Sequence, residues 1–173
     1  MYEGAEVRNP VSHFVHLNDE LFKLGYSHGD IIEKDSREKG LRHAYGSEPG
    51  IERSYDDNRL GALSEIAVRV LLKLPVYRRP LLGNYNGPDI LKNIGVRCRR
   101  ESYYDLIVRP NDHDDFTYIL VIGRTECPIF EVVGYMKGAE AKLHKTQIYG
   151  NRPPAHFVER KYLRQIVLKE KKE

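Results

Sequence analysis

RLGALSEIAVRVLLKL, residues 59–74, is the stretch on which the fold turns. Leu60, Leu63, Ala67, Val70, Leu71 and Leu74 recur at helical spacing on one face, Asn58 stands where an N-cap belongs, and Pro75 stops the run. The spacing therefore predicts a helix over 59–74. On the same wheel Glu65, Arg69 and Lys73 project from the opposite face, which leaves Glu65 facing either solvent or a cleft.

Downstream of Pro75 the pattern becomes that of strands. A turn-rich segment, Gly83-Asn84-Tyr85-Asn86-Gly87-Pro88, leads into Asp89-Ile90-Leu91. Runs rich in Val, Ile, Tyr and Phe follow at 94–100, 103–108, 116–122 and 129–135. A helical turn is expected over 138–145, a strand over 156–158 and a helix over 161–168. Upstream, Val11, Phe14, Val15, Leu17, Leu21, Phe22 and Leu24 suggest one helix that Asn18 or Asp19 caps and Gly25 ends. The polar stretch 27–58 shows no sustained period and reads as a long arm. The expected organisation is an N-terminal helix and polar arm over 1–58, then an α/β core over 59–173. In that core a central mixed, mostly antiparallel sheet is flanked by helices.

With 173 residues, the chain has the length of one domain and can bury a core without disulfide or metal staples. A hydrophobic fraction of 40% beside 31% charged residues is globular, and excludes disordered, fibrous and membrane-spanning classes. The net charge of +3 hides an asymmetry. Residues 1–64 carry 8 Lys+Arg against 12 Asp+Glu, and residues 65–173 carry 20 against 13, so the second part is the one suited to polyanions. Two cysteines, Cys98 and Cys127, make neither a CxxC pair nor a disulfide framework. A reducing, cytoplasmic setting fits that usage, and no basic run followed by an apolar segment argues for export.

Motifs that would mark other chemistries are missing: the Gly-rich dinucleotide fingerprint, the phosphate-binding loop, His-Glu-x-x-His and Gly-x-Ser-x-Gly. His13 and His16, with His28 nearby, lack the second ligand pair of a zinc site. The acidic loop Asn111-Asp112-His113-Asp114-Asp115 lacks the glycine and distal glutamate of a calcium loop and reads as a solvated turn. Cys98 alternates with Val96 on an apolar strand face and reads as an inert buried thiol.

What remains is an ordered series: Gly61-Ala62-Leu63-Ser64-Glu65-Ile66-Ala67-Val68, then Gly87-Pro88-Asp89-Ile90, then Gly95-Val96-Arg97-Cys98-Arg99-Arg100. A helix acid, a Pro-Asp at a strand start and a basic residue on the next strand resemble the PD-(D/E)XK superfamily of restriction-endonuclease-like nucleases. The later stretches Tyr104-Asp105-Leu106-Ile107-Val108-Arg109-Pro110, 118–122, Val132-Val133-Gly134-Tyr135 and Pro153-Pro154-Ala155-His156-Phe157-Val158 look like a group of small phage and prophage members. The likeness spans roughly residues 59–168. It implies a phage-type nuclease that hydrolyses nucleic-acid phosphodiesters with Mg²⁺ or Mn²⁺, in the cytoplasm of a bacterial host.

The resemblance makes Asp89 and Glu65 the metal ligands and Arg97 the group that neutralises the phosphate, these three forming the catalytic set. Hydrolysis needs an activated water and a neutralised phosphate, tasks that a divalent cation held by carboxylates performs. Arg78, Arg79, Arg99 and Arg100 would guide the nucleic acid, since guanidinium forks match phosphate oxygens. Strand alternation puts Arg97 and Arg99 on one face and Arg100 with Val96 and Cys98 on the other. The sequence departs from the family at its third position: where an acid or Gln is expected two residues before the basic group, Gly95 stands.

Plainer readings stay open beside these. Asp89 closes a Gly-Pro-Asp turn, Glu65 pairs with Arg69 one helical turn on, and the arginines pair with the acidic N-terminal part. The alternative function is a catalytically silent nuclease fold that binds nucleic acid or a protein, as an inhibitor or phage structural module. In the inhibitor case the acidic N-terminal arm, with Asp56 and Asp57, is the contact surface.

Overall fold

The computed structural model describes residues 9–40, 50–76 and 89–169. Strand β1 (His13–His16) is followed by helices α1 (Asp19–Glu38) and α2 (Ile51–Leu71). Then come β2 (Ile94–Arg99), β3 (Leu106–Val108), β4 (Thr117–Ile122) and β5 (Ile129–Lys137). The short helix α3 (Gly138–Ala141) and strands β6 (Thr146–Gln147) and β7 (Ala155–Val158) complete the chain. One sheet runs β1-β5-β4-β2, with β2 parallel to β4 and the other two pairings antiparallel. A second, antiparallel sheet runs β3-β7-β6. The architecture is α/β with a mixed, mostly antiparallel central sheet flanked by helices.

Three layers follow from where β4 sends its side chains. Ile119 and Val121 join Leu60, Leu63, Ile66 and Ala67 of α2 in one core. Tyr118, Leu120 and Ile122 join Leu106, Val108 and Val158 of the second sheet in another. The central sheet is thus covered on both faces, which is why β4 reads as an unbroken apolar run. Helix α2 is buried around most of its girth, with Ile66 and Val68 inside as well as the predicted face. Among the described residues no helix is long and apolar enough to cross a membrane.

The structure extends and moves several elements. The helix expected over 59–74 starts about two turns earlier, at Ile51, with Gly50 as N-cap. It ends before Pro75 with Lys73 in the left-handed region (φ 55°). There Lys73 N–H donates to Val70 O (3.1 Å) and Leu74 N–H to Arg69 O (2.8 Å), a Schellman closure. Upstream, the apolar run 11–24 divides into β1 and the start of α1, and Asn18 caps α1 by accepting from Leu21 N–H at 2.9 Å.

Gly25 does not end that helix. It lets α1 approach α2, where a Cβ would meet the Leu63 side chain at 2.5 Å. Residues 27–38 and 51–58, expected as arm, are therefore helical, because the two helices pack against each other. The final helix expected over 161–168 is only a 3-10 turn, Arg160–Tyr162. Beyond it the chain runs extended, exchanging 2.9 Å hydrogen bonds between Arg164 and Tyr135 that hold Leu163 and Ile166 inside.

Two carboxylates make the fold acid-sensitive. Burial raises the pKa of Asp56, but hydrogen bonds from Thr125 and Arg100 outweigh it and hold the group below its ordinary 3.8. At Glu131 burial is likewise outweighed, by Arg160 and Ser12, so the group sits below its ordinary 4.5. A depressed folded-state pKa contributes stability that is present above the unfolded value and lost as pH falls through the folded one. Urea midpoints should therefore hold from pH 7 to about 5 and fall progressively below about 4.5. A midpoint unchanged down to pH 3 would dissociate these pairs from stability.

Candidate functional site

Strand β2 lies at the edge of the central sheet, and its alternation sorts the predicted residues. Val96 and Cys98 face the helices and pack on the α2 core. Gly95, Arg97 and Arg99 stand on the other side, opposite Tyr118, Leu120 and Ile122 of β4 in parallel register. Burial pushes the Cys98 thiol up to about 11, as suits an inert thiol.

Asp89 enters β2 through a tight hairpin. Ile90 and Ile94 exchange backbone hydrogen bonds of 3.0 and 3.1 Å around a turn in which Leu91 takes φ 52°. The hairpin returns the Asp89 carboxylate to the strand, where Oδ2 accepts from Val96 N–H at 2.6 Å. Arg69 of α2 donates to Pro75 O at 3.3 Å and to Asp89 O at 3.5 Å, linking the helix to this corner.

Arg97 lies with its guanidinium 4.7 Å from the centre of the Tyr118 ring and pairs with Asp112 at 3.0 Å. Burial works against its charge, but Asp112, and after it Asp89, hold its pKa above the ordinary value. Burial and the Asp112 charge raise the Tyr118 hydroxyl in turn, against the pull of Arg97. Asp112 also accepts from Arg109 N–H at 2.9 Å, while Lys142 donates to Asp112 O at 2.5 Å and pairs with Asp114. The acidic loop expected as a solvated turn is thus tied down, and it delivers a carboxylate to Arg97.

Gly95 is a glycine because Tyr118 lies on it. A Cβ there would stand 2.7 Å from two carbons of that ring, and Tyr118, 2% exposed, has nowhere to go. The position where the resembled family places its third acid has neither a side chain nor room for one.

Glu65 is half-buried on α2, and its field is felt at Cys98, on the helix side of β2. The charge of Asp89 acts on Arg97 and Tyr118. Asp89 and Arg97 are therefore brought together. Arg100 is held by Asp56 and Asp57 of α2, both at 2.6 Å, so these acids have a partner within the fold. Arg99 lies over Tyr104, its guanidinium 4.5 Å from the ring centre. Arg78 and Arg79 lie outside the described residues. His13 bonds through Nε2 to Ile166 O at 2.7 Å, and His28 is buried.

Among the described residues the donors grouped about Arg97 do not make a resident site for a divalent cation. Asp89 gives one oxygen to Val96 N–H, Asp112 is engaged by Arg97 and Arg109, and Gly95 offers no donor. Among the described residues no group of three His, Cys, Asp or Glu side chains is placed to hold a metal ion. Sequence reasoning missed Asp112, Tyr118 and Tyr104. The register that sets Tyr118 against Gly95 carries no local signal, although the Asn-Asp pair marked the loop as a turn.

No protein-family model matches the chain, and no curated protein and no solved structure matches it.

Proposed function

We propose that this chain is a nuclease-like α/β scaffold that binds nucleic acid through the Arg97–Arg99 face of β2 without cleaving it. The observation that carries this reading is the Tyr118 ring lying on Gly95. It removes the third acid from the site and puts an aromatic surface under a guanidinium instead. Arg97 has a pKa held above its already high ordinary value, so it stays charged toward a phosphate and does not act as a base.

One observation favours the hydrolytic reading that the PD-(D/E)XK resemblance implies: the Asp89 carboxylate stands in the field of Arg97 at the start of β2. The two readings separate in one experiment. The purified chain is incubated with single- and double-stranded DNA and RNA, with Mg²⁺, Mn²⁺ or a chelator. A mobility shift that weakens steeply with salt, with the nucleic acid intact, is expected. Cleavage lost on chelation, and abolished in Asp89→Ala, would instead establish the metal-dependent nuclease.

A further inference from the structure

We infer that the end of this face beside Arg99 takes a single-stranded polynucleotide, with Tyr103 stacking a base while Arg99 meets the adjoining phosphate. The inference rests on the binding reading above and names the form of nucleic acid that it takes. Tyr103 is 73% exposed, an aromatic ring left without cover at the turn after β2. It is not loose: Tyr104 meets it edge-on, centroids 4.8 Å apart at 69°, and Tyr104 is itself capped by the Arg99 guanidinium. Three planar groups in series form a rigid platform whose outer member is free to accept another ring.

The charges complete the argument. Arg99 is half-buried, and among the described residues no carboxylate lies in ion-pairing reach of it. Burial lowers its pKa and the charge of Arg152 lowers it further, while Tyr104 and Asp105 oppose. The other acids near Tyr103 and Asp105 are engaged, Glu101 by Arg124 and Glu159 by Lys161. Arg99, laid over Tyr104 and outside any ion pair among the described residues, is left to meet an anion. Arg97 and Arg99 are two residues apart on a strand, about 6.6 Å, which is close to one nucleotide step of an extended strand. Stacking on an exposed ring requires an unpaired base, since a base inside a duplex offers no free face.

Fluorescence anisotropy with labelled oligo(dT), oligo(rU) and a mixed-sequence DNA duplex tests this. The full chain should bind both single strands more tightly than the duplex, and the two single-stranded arms show which sugar is preferred. Tyr103→Ala should weaken single-strand binding at least about fivefold, the lower end for one base–aromatic stack. Tyr103→Phe should restore it, and duplex binding should be unchanged in both. Arg99→Gln should lower the slope of log affinity against log salt by about 0.7. Equal binding of duplex and single strands, indifferent to Tyr103→Ala, would overturn this inference and leave the binding reading intact. Binding of none of the three would overturn both.

Discussion

Glu33→Ala is expected to destabilise the fold by about 2–4 kcal/mol, through two lost interhelical hydrogen bonds plus the cavity left behind. Glu33 is 1% exposed in the α1–α2 interface. Its Oε2 accepts from Ser54 Oγ at 2.5 Å and from Asn58 Nδ2 at 2.6 Å, both on α2. Arg37 Nε stands 2.5 Å from Oε1 as an ion pair off the hydrogen-bond axis. With its side chain 41% exposed, Arg37 can turn back to water when the acid is removed. Ser54, 0% exposed, cannot. Glu33→Gln keeps an oxygen for the two α2 donors and should cost clearly less. Urea unfolding of the two variants checks this, and equal midpoints for Ala and Gln would show that the interhelical hydrogen bonds contribute nothing.

The same glutamate shows why the N-terminal part was the least legible. A run such as Glu33-Lys34-Asp35-Ser36-Arg37 reads as solvated, because sequence alone does not reveal that one of its acids is capped by Ser54 and Asn58 from another helix. Gly25 reads as a break for a related reason. Glycine both ends helices and lets them approach closely, and only the presence of α2 decides which.

From residue 94 onward periodicity sufficed. The strands near 94–100, 116–122 and 129–135 all form, and alternation placed Arg97 and Arg99 apart from Cys98 correctly, because a strand buried on a helix must turn alternate residues away from it. The site was half legible. Asp89 and Arg97 meet because a five-residue hairpin joins them, which is local. Tyr118 meets Gly95, and Asp112 meets Arg97, through the parallel β2–β4 pairing, whose register is fixed only when the sheet forms.

That register sets the second large effect. Gly95→Glu puts back on β2 the acid that the resembled motif calls for, and the expected result is a chain destabilised by about 3 kcal/mol or more. The Cβ alone overlaps the buried Tyr118 ring, an overpacking that costs about 1–3 kcal/mol. The carboxylate then adds desolvation, relieved only by drawing Arg97, whose Nη1 is 3.8 Å from the new Cβ, away from Asp112. Gly95→Ala isolates the first contribution. Tyr118→Ala removes the obstacle at its own cavity cost, so the double variant Tyr118→Ala/Gly95→Glu should lose less stability than its two singles together. Guanidinium unfolding of the four chains reads the coupling directly. Additive losses would mean that the ring does not occupy the place of the missing acid. In that case the glycine would no longer argue against a metal site, and a stable, folded Gly95→Glu chain that cleaved DNA with Mg²⁺ would move this protein from the binders to the enzymes.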